Sequence, residues 1–428
     1  MLSNPAWLRK RLTCIVAALV LVVAAQSIFA FELPLTLEQA WQIAEDANPT
    51  LKAAQASLAA AQGQVTDSRG LLWNNPHVSA DGLRRLVPNP SAGYDTQREW
   101  RAQVSQQIEI AGQQGYRRAA AEQDLAALQQ SVEEARRLVR AEVEKRFVRV
   151  LSLQARVAME QELVALIRDN VSIARKRFEA GEDTKLDHNL AEVELGRAIN
   201  QLEVAREQLL RARAELAAML QLQAEALPEA AGSLLANGPS PYTLDHLLAM
   251  ASDQPRLRAF DLREQAARSR LGLERAAVYP DVTVGLFAGR EGPVQGRERI
   301  VGLSVSLPLP LFRRNAAGIG RAGTELTHAQ IERQTAIRDT RASVLALWQQ
   351  LGSVRKRVNR LEELVLQRLR ENQRLSTTAY RTGEISLTQL LLATRQVLDT
   401  RREVLEAMTE LALTRIELEQ TAGWVGPH

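Results

Sequence analysis

Val301-Gly302-Leu303-Ser304-Val305-Ser306-Leu307-Pro308-Leu309 places Val or Leu at every odd position and small or polar residues between them. A period of two is that of a β-strand with one apolar and one polar side. Val282, Val284, Leu286 and Ala288 make a similar face upstream, and Glu291-Gly292-Pro293 is turn material between the two. The pattern also occurs earlier. Trp100, Ala102, Val104, Ile108 and Ile110 alternate with Arg101, Gln103, Ser105, Gln107 and Glu109, with Gln106 interrupting the apolar set. The strand before it, His77 to Val87, is less regular, and Asn89-Pro90-Ser91-Ala92-Gly93 is the turn. Alternation over about ten residues suits a membrane β-strand, which needs about 9–11. It equally suits a hairpin packed on a soluble core.

The hairpins stand at equivalent points of a duplicated chain. Leu35-Thr36-Leu37-Glu38-Gln39-Ala40 is echoed by Tyr242-Thr243-Leu244-Asp245-His246-Leu247, and Pro49-Thr50-Leu51 by Pro255-Arg256-Leu257. Asn75-Pro76-His77-Val78 is echoed by Tyr279-Pro280-Asp281-Val282, and Phe178-Glu179-Ala180-Gly181-Glu182 by Tyr380-Arg381-Thr382-Gly383-Glu384. The order is kept and the offset stays at roughly 200 residues, the mark of an internal repeat. The chain thus divides into a first repeat (31–223), a Pro/Gly/Ala-rich linker (224–241), a second repeat (242–423) and a short tail (424–428). Each repeat opens on a helix, with Thr36 or Thr243 as N-cap. An Ala-rich helix follows, ending near Trp73 or Ala277. The hairpin comes next, and then a very long helical stretch.

Tyr116 to Ala180 contains no glycine or proline, and at 1.5 Å per residue such a helix reaches roughly 100 Å. Leu125, Leu128, Val132, Ala135 and Val139 step by threes and fours, as do Leu351, Val354, Val358, Leu361 and Val365. These are coiled-coil seams. An ordinary coiled coil accounts for the seams but not for two hairpins inserted at matching places. The fold class expected is therefore mainly α with a small β part: long antiparallel coiled-coil helices and four strands per chain.

The composition agrees. Of 428 residues only 4 % are aromatic, and charges of both signs are interspersed along the helices as on solvated faces. The formal charge of +4 includes Arg9, Lys10 and Arg11, which open an N-terminal export segment, so the basic balance says little and no nucleic-acid partner is indicated. That segment has a basic start, an apolar run from Cys14 to Ala25 and small residues up to Ala30, the signature of a secretory signal covering residues 1–30. A membrane anchor is the other reading, but the run falls short of the ~20 residues a spanning helix needs. Cys14 is the only cysteine, so the exported chain has no disulfide and no cysteine metal site. No second segment can span a membrane as a helix. A membrane position for the mature chain then requires a β-barrel.

Four strands cannot close a barrel, and an open edge cannot face lipid because its amides lack partners. Copies of the chain must supply the rest. Three copies give 12 strands, between the filled barrels of ~8 strands and the open ones of ~16. Arg101, Gln103, Ser105, Gln107 and Glu109 suit the wet lumen of such a barrel.

The order of helix, hairpin, long helix, Phe/Tyr-x-x-Gly-Glu turn and returning helix, done twice after a signal peptide, resembles the TolC family of outer-membrane efflux proteins. The resemblance covers essentially the whole mature chain, and the two turns are its most specific part. It implies a homotrimer with a transmembrane 12-stranded β-barrel in outer-membrane lipid and an α-helical barrel in the periplasm. It implies docking of the helical tip, around Phe178, Gly181, Glu182, Tyr380, Gly383 and Glu384, to a periplasmic adaptor that links the duct to an inner-membrane proton-driven pump. Gly383-Glu384-Ile385-Ser386-Leu387 is similar to the version found in the cobalt–zinc–cadmium branch, which makes heavy-metal cations the expected cargo. Family members often gate the tip with an Asp six positions after the glycine. Asp187 matches; the second position is Gln389, with Leu392 and Ile385 replacing other expected charged residues. A charged gate is then weaker, or built from residues such as Asp183, Glu182 and Glu384. Without any partner, Gly181 and Gly383 still serve to end helices.

The chemistry of an enzyme is missing. His77, His188, His246, His328 and His428 are scattered, with no two at metal-ligand spacing. No phosphate-binding loop or nucleophile motif is present, so no cofactor or metal site is expected and energy must come from a partner. Gly318-x-Gly320-x-x-Gly323 fits a dinucleotide pattern by letter but lacks a βαβ unit. Two other readings stay open: an exit duct for drugs or secreted protein, and a periplasmic coiled-coil scaffold or adaptor without a pore.

Overall fold

A computed structural model describes residues 34–91, 93–223, 227–234, 241–292 and 296–424. The export segment, Ala92, Pro293, parts of the expected linker, residues 425–427 and His428 lie outside them. Both halves run through the same order of elements. The first has helices α1 (Leu37–Ala47) and α2 (Pro49–Ser68), strands β1 (His77–Asn89) and β2 (Gly93–Ile108), and helices α3 (Gln113–Glu179) and α4 (Lys185–Met219). The second has α5 (Leu244–Ser252), α6 (Pro255–Ala276), β3 (Val282–Glu291), β4 (Glu298–Ser306), α7 (Ala316–Arg360), a π-helical segment (Leu361–Leu366), α8 (Gln367–Arg381) and α9 (Leu387–Ala422).

Local chemistry starts these helices where it was expected to. The Thr36 hydroxyl accepts from Gln39 N–H at 3.3 Å while the Gln39 side chain accepts from Thr36 N–H at 3.0 Å, a reciprocal cap on α1. Thr243 caps α5 by accepting from His246 N–H. Pro49 and Pro255 begin α2 and α6, where a missing amide costs nothing. α2 ends at Ser68 rather than near Trp73. The Gly70 amide reaches back only three residues, to Asp67, which tightens and closes the last turn.

The chain forms two compact units. One comprises Leu138–Pro241, Leu347–Leu418 and the residues up to Asn48. Its core sets Ala40 and Ala44 of α1 against Val139, Val143, Phe147 and Val150 of α3 and Leu216 of α4. Leu35 forms a parallel bridge with Ala230, so this part of the expected linker is tied into the core through bonds at 2.6 and 2.8 Å. Further along, Leu163, Val164 and Ile167 of α3 meet Ala198 and Leu202 of α4 and Leu398 of α9. The α7 seam holds at Leu351, Val354, Val358 and Leu361, but the next buried residue is Leu366, not Val365. The π turn accommodates one extra residue, and this five-residue step moves the seam.

The other unit comprises Pro49–Arg137, Tyr242–Ala346 and the residues from Glu419. Its helical core is built mainly from alanine, including Ala120, Ala127, Ala266, Ala267 and Ala336. Gly272 of α6 makes room for the ring of Tyr116 of α3, whose nearest carbons lie 2.6 Å from where a Cβ at that position would be. Val132 is buried as the seam requires, while Leu125, Leu128 and Ala135 are half-buried.

This second unit carries a four-stranded antiparallel sheet in the order β1-β2-β3-β4. The hairpins pair directly through Trp100↔Arg290 to Ile108↔Val282. β2 starts earlier than the alternation indicated and stops at Ile108, leaving Glu109 and Ile110 outside it. Gly112, at φ +76°, turns the chain into α3. β4 stops at Ser306, so Leu307 and Leu309 fall beyond it. Pro308 has no amide to continue the ladder. The register places Val78, Val104, Leu286 and Leu303 in one row, with Val284 and Val305 paired beside it. These apolar side chains form one exposed face, and β1 and β4 leave both edges of the sheet unpaired.

Candidate functional site

The turns between α3 and α4 and between α8 and α9 lie in the first unit and are closed identically. Glu182 N–H donates to Arg177 C=O at 2.9 Å and Gly181 N–H to Phe178 C=O at 3.0 Å. Glu384 N–H donates to Ala379 C=O at 2.8 Å and Gly383 N–H to Tyr380 C=O at 3.1 Å. This nested pair of bonds is the Schellman closure, which needs a left-handed residue, and both glycines have φ +80°. The returning helices also start alike. Thr184 N–H donates to the Asp187 carboxylate while Asp187 N–H donates to the Thr184 hydroxyl, both at 3.2 Å. Ser386 and Gln389 repeat the arrangement at 3.0 and 3.4 Å. The two candidate gate residues six positions after the glycines, Asp187 and Gln389, are thus the helix-capping partners of Thr184 and Ser386.

Asp183 ties the turns together. The Tyr380 side chain is 1 % exposed, and its hydroxyl donates to Asp183 Oδ2 at 2.7 Å. Arg177 Nε donates to the same oxygen at 3.2 Å, and Arg177 Nη1 donates to the Tyr380 carbonyl at 3.2 Å. The guanidinium sits 5.2 Å from the Tyr380 ring centre and 3.5 Å from Glu182. Burial, and then the hydrogen bond to Asp183, push the Tyr380 phenol above its ordinary value. Burial alone would lower the Arg177 guanidinium, but the bond and charge of Asp183 outweigh it and raise it. Beneath this network lie Ala174, Ala191, Leu387 and Leu390, all buried. Phe178 is partly exposed and stacks on His188, the rings 5.8 Å apart and 6° from parallel. Glu384 is exposed. Arg177 was not singled out from sequence, although a basic residue in the last helical turn is a recognisable signal.

A second charged cluster lies further along the same unit. Glu160 of α3, 1 % exposed, accepts from Arg402 of α9 at 2.9 and 2.8 Å and from Arg156 at 3.0 Å. Burial pushes its carboxyl up, but the bonds and charges of Arg402 and Arg156 together hold it below the ordinary value. Arg156 lies one helical turn from Glu160 on the same helix, whereas Arg402 reaches it from α9.

Of the lumen candidates, Arg101, Gln103, Ser105 and Gln107 share the polar face of the sheet. Arg101 pairs with Glu291 at 2.9 Å, and Gln107 donates to Asp281 at 2.7 Å. Glu109 does not join them. Beyond the end of β2 its carboxylate accepts two bonds from Arg117, at 2.7 and 2.9 Å.

The sequence profile described as Outer membrane efflux protein matches residues 40–221 and 249–424. The chain belongs to this family. The efflux protein is 27 % identical over 376 residues to the cobalt-zinc-cadmium resistance protein CzcC of Cupriavidus metallidurans, covering 86 % of this chain and 85 % of that one. It is 28 % identical over 325 residues to the nickel-cobalt-cadmium resistance protein NccC of Alcaligenes xylosoxydans, covering 75 % and 71 %. Its fold matches a membrane protein from Pseudomonas aeruginosa at a TM-score of 0.77 and 20 % identity, covering 90 % of each chain. It also matches the outer membrane protein VceC of Vibrio cholerae at 0.76 and 18 % identity, covering 90 % and 96 %. The efflux protein is therefore an outer-membrane channel component. Among the described residues no helix is long and apolar enough to cross a membrane.

Proposed function

We propose that this efflux protein is the outer-membrane exit duct of a tripartite system and that its cargo is heavy-metal cations. Three copies close a 12-stranded barrel, and their helices continue the duct toward a periplasmic adaptor and an inner-membrane proton-driven pump. The observation that carries the reading is the sheet. It has an apolar face exposed at Val301, Leu303 and Val305 and two unpaired edges. Such a sheet becomes stable in lipid only when copies complete it. The cargo follows from the relatives, whose names specify cobalt, zinc, cadmium and nickel resistance. The adaptor grips the tip at Phe178, Gly181, Glu182, Tyr380, Gly383 and Glu384, where two identical turns stand on a shared buried base. Asp183 is the gate residue of the tip, because its carboxylate joins the two turns through Tyr380 and also holds Arg177, which itself reaches the Tyr380 carbonyl.

The test is a deletion strain challenged with zinc, cobalt, cadmium, nickel and several drugs. Loss of metal tolerance restored by the wild-type chain is expected. Unchanged sensitivity to every metal with new sensitivity to drugs would reassign the cargo.

A further inference from the structure

The two faces of the sheet are unequal in charge. The register places Arg84, Arg98, Arg290 and Arg299 on the apolar face, and that face carries no carboxylate in any of the four strands. Asp81, Asp95, Glu99, Glu291 and Glu298 all lie on the opposite face, where Glu99 and Glu291 pair with Arg85 and Arg101. The four arginines are close together. Arg84 is directly opposite Arg98, Arg290 is directly opposite Arg299, and Trp100 stands beside both pairs, opposite Gly82 and Arg290.

Like charges set directly opposite each other in a sheet are destabilising. None of the four makes an ion pair among the described residues, and Arg84, Arg98 and Arg299 are exposed. Their height on the sheet is specific. From Ile108, where the strands meet the helices, to Trp100 is eight steps, about 27 Å along the strand and about 20 Å of height at the ~40° tilt of membrane barrels. The intervening residues of that face are apolar apart from Gln106. The arginines therefore begin where the apolar band ends, on the side away from the helices. Guanidinium forks match phosphate oxygens bidentately.

We propose that Arg84, Arg98, Arg290 and Arg299, arranged around Trp100, form a binding belt for the phosphate groups of outer-leaflet lipid. This rests on the barrel reading above, which turns the apolar face toward lipid. The belt neutralises the two like-charge pairs and fixes the depth of the barrel.

The experiment places a fluorophore on Leu303→Cys, in the middle of the apolar face; with Cys14 removed in the export segment, this is the one thiol of the purified chain. The purified protein is reconstituted in phosphatidylcholine vesicles containing either brominated phosphatidylcholine or brominated phosphatidic acid at equal mole fraction. Quenching by both lipids, with roughly fivefold preference for phosphatidic acid that falls as salt is raised, is the expected result. Replacing all four arginines by Gln abolishes the preference, and replacing them by Lys keeps most of it. Quenching by phosphatidylcholine reports independently that each variant has inserted. Equal quenching by the two lipids, or a preference that survives the Gln variant, overturns the belt and leaves the barrel standing. Absence of quenching by either lipid overturns both.

Discussion

At the residue scale the tip depends on one carboxylate. Asp183 holds a phenol and a guanidinium that come from different helices, and Tyr380 is buried so thoroughly that its hydroxyl has nowhere else to turn. Tyr380→Phe removes one hydrogen bond without opening a cavity. The expected cost is about 1–2 kcal/mol, read as faster amide exchange in both turns with little change in global unfolding. A protection pattern unchanged at Asp183 would reject the link. Because the folded phenol is raised, its contribution is complete below the unfolded value of about 10 and is lost as pH climbs past it, so the tip should loosen in alkali. Glu160 has the opposite sign. Its folded carboxyl is lowered, so its contribution is present above about 4.3 and disappears as pH falls. Glu160→Gln leaves two arginines facing a neutral amide, and a loss of about 3 kcal/mol or more is expected in thermal or denaturant unfolding. A double-mutant cycle with Arg402→Met separates the pair from the rest. These two carboxylates also mark a limit of sequence reading. The glycine turns and the Thr caps were legible because each is settled within six residues. The bonds to Tyr380 and Arg402 join residues 197 and 242 positions apart, and nothing in the local sequence points across those gaps.

At the scale of elements, the π segment is the one break in an otherwise regular helical run from Ala316 to Arg381. It carries one residue more than an α-helix needs between the buried Leu361 and Leu366. Deleting the exposed Leu364 converts that step to the four-residue spacing of an α-helix and leaves every residue beyond it facing as before. Normal stability and a preserved tip are expected, with slower amide exchange in the segment. Deleting Glu371 in α8 instead rotates Tyr380 by about 100° away from Asp183 and should abolish the tip protection. Equal damage from the two deletions would show that the π turn is required for its own sake. The seam continued past Leu361 in the sequence by period alone, and Val365 and Leu366 are both apolar, so the shift of one position was invisible. The strand ends failed for a related reason. Alternation reports which face a side chain takes, whereas the end of a strand is set by amides. Pro308 ends β4 by lacking one, although Leu307 and Leu309 keep the pattern. The face assignment holds within β2, where Arg101, Gln103, Ser105 and Gln107 share one side of the sheet, and fails only at Glu109, which lies past the strand's end.

At the scale of the whole molecule, a chain of this family that exposes two strand edges is unfinished by itself. Closing the barrel requires β4 of one copy to meet β1 of the next, since these are the only strands of the sheet with a free side. Successive amides of an edge strand alternate between its neighbour and the outside, so of two adjacent residues one points its N–H outward. Leu303→Pro and Ser304→Pro together sample both directions. One substitution removes a bond within the β3–β4 hairpin. The other removes only a donor reserved for the next copy. The latter should leave the hairpin paired and the helices folded by circular dichroism. Light scattering in detergent should then report single chains, where the proposed assembly of the wild type would give three. Assembly of both variants at wild-type mass would mean that β4 is not a closing edge. In that case the exposed apolar face at Val301, Leu303 and Val305 would need a different cover, and the helical parts of the chain would have to hold the copies together.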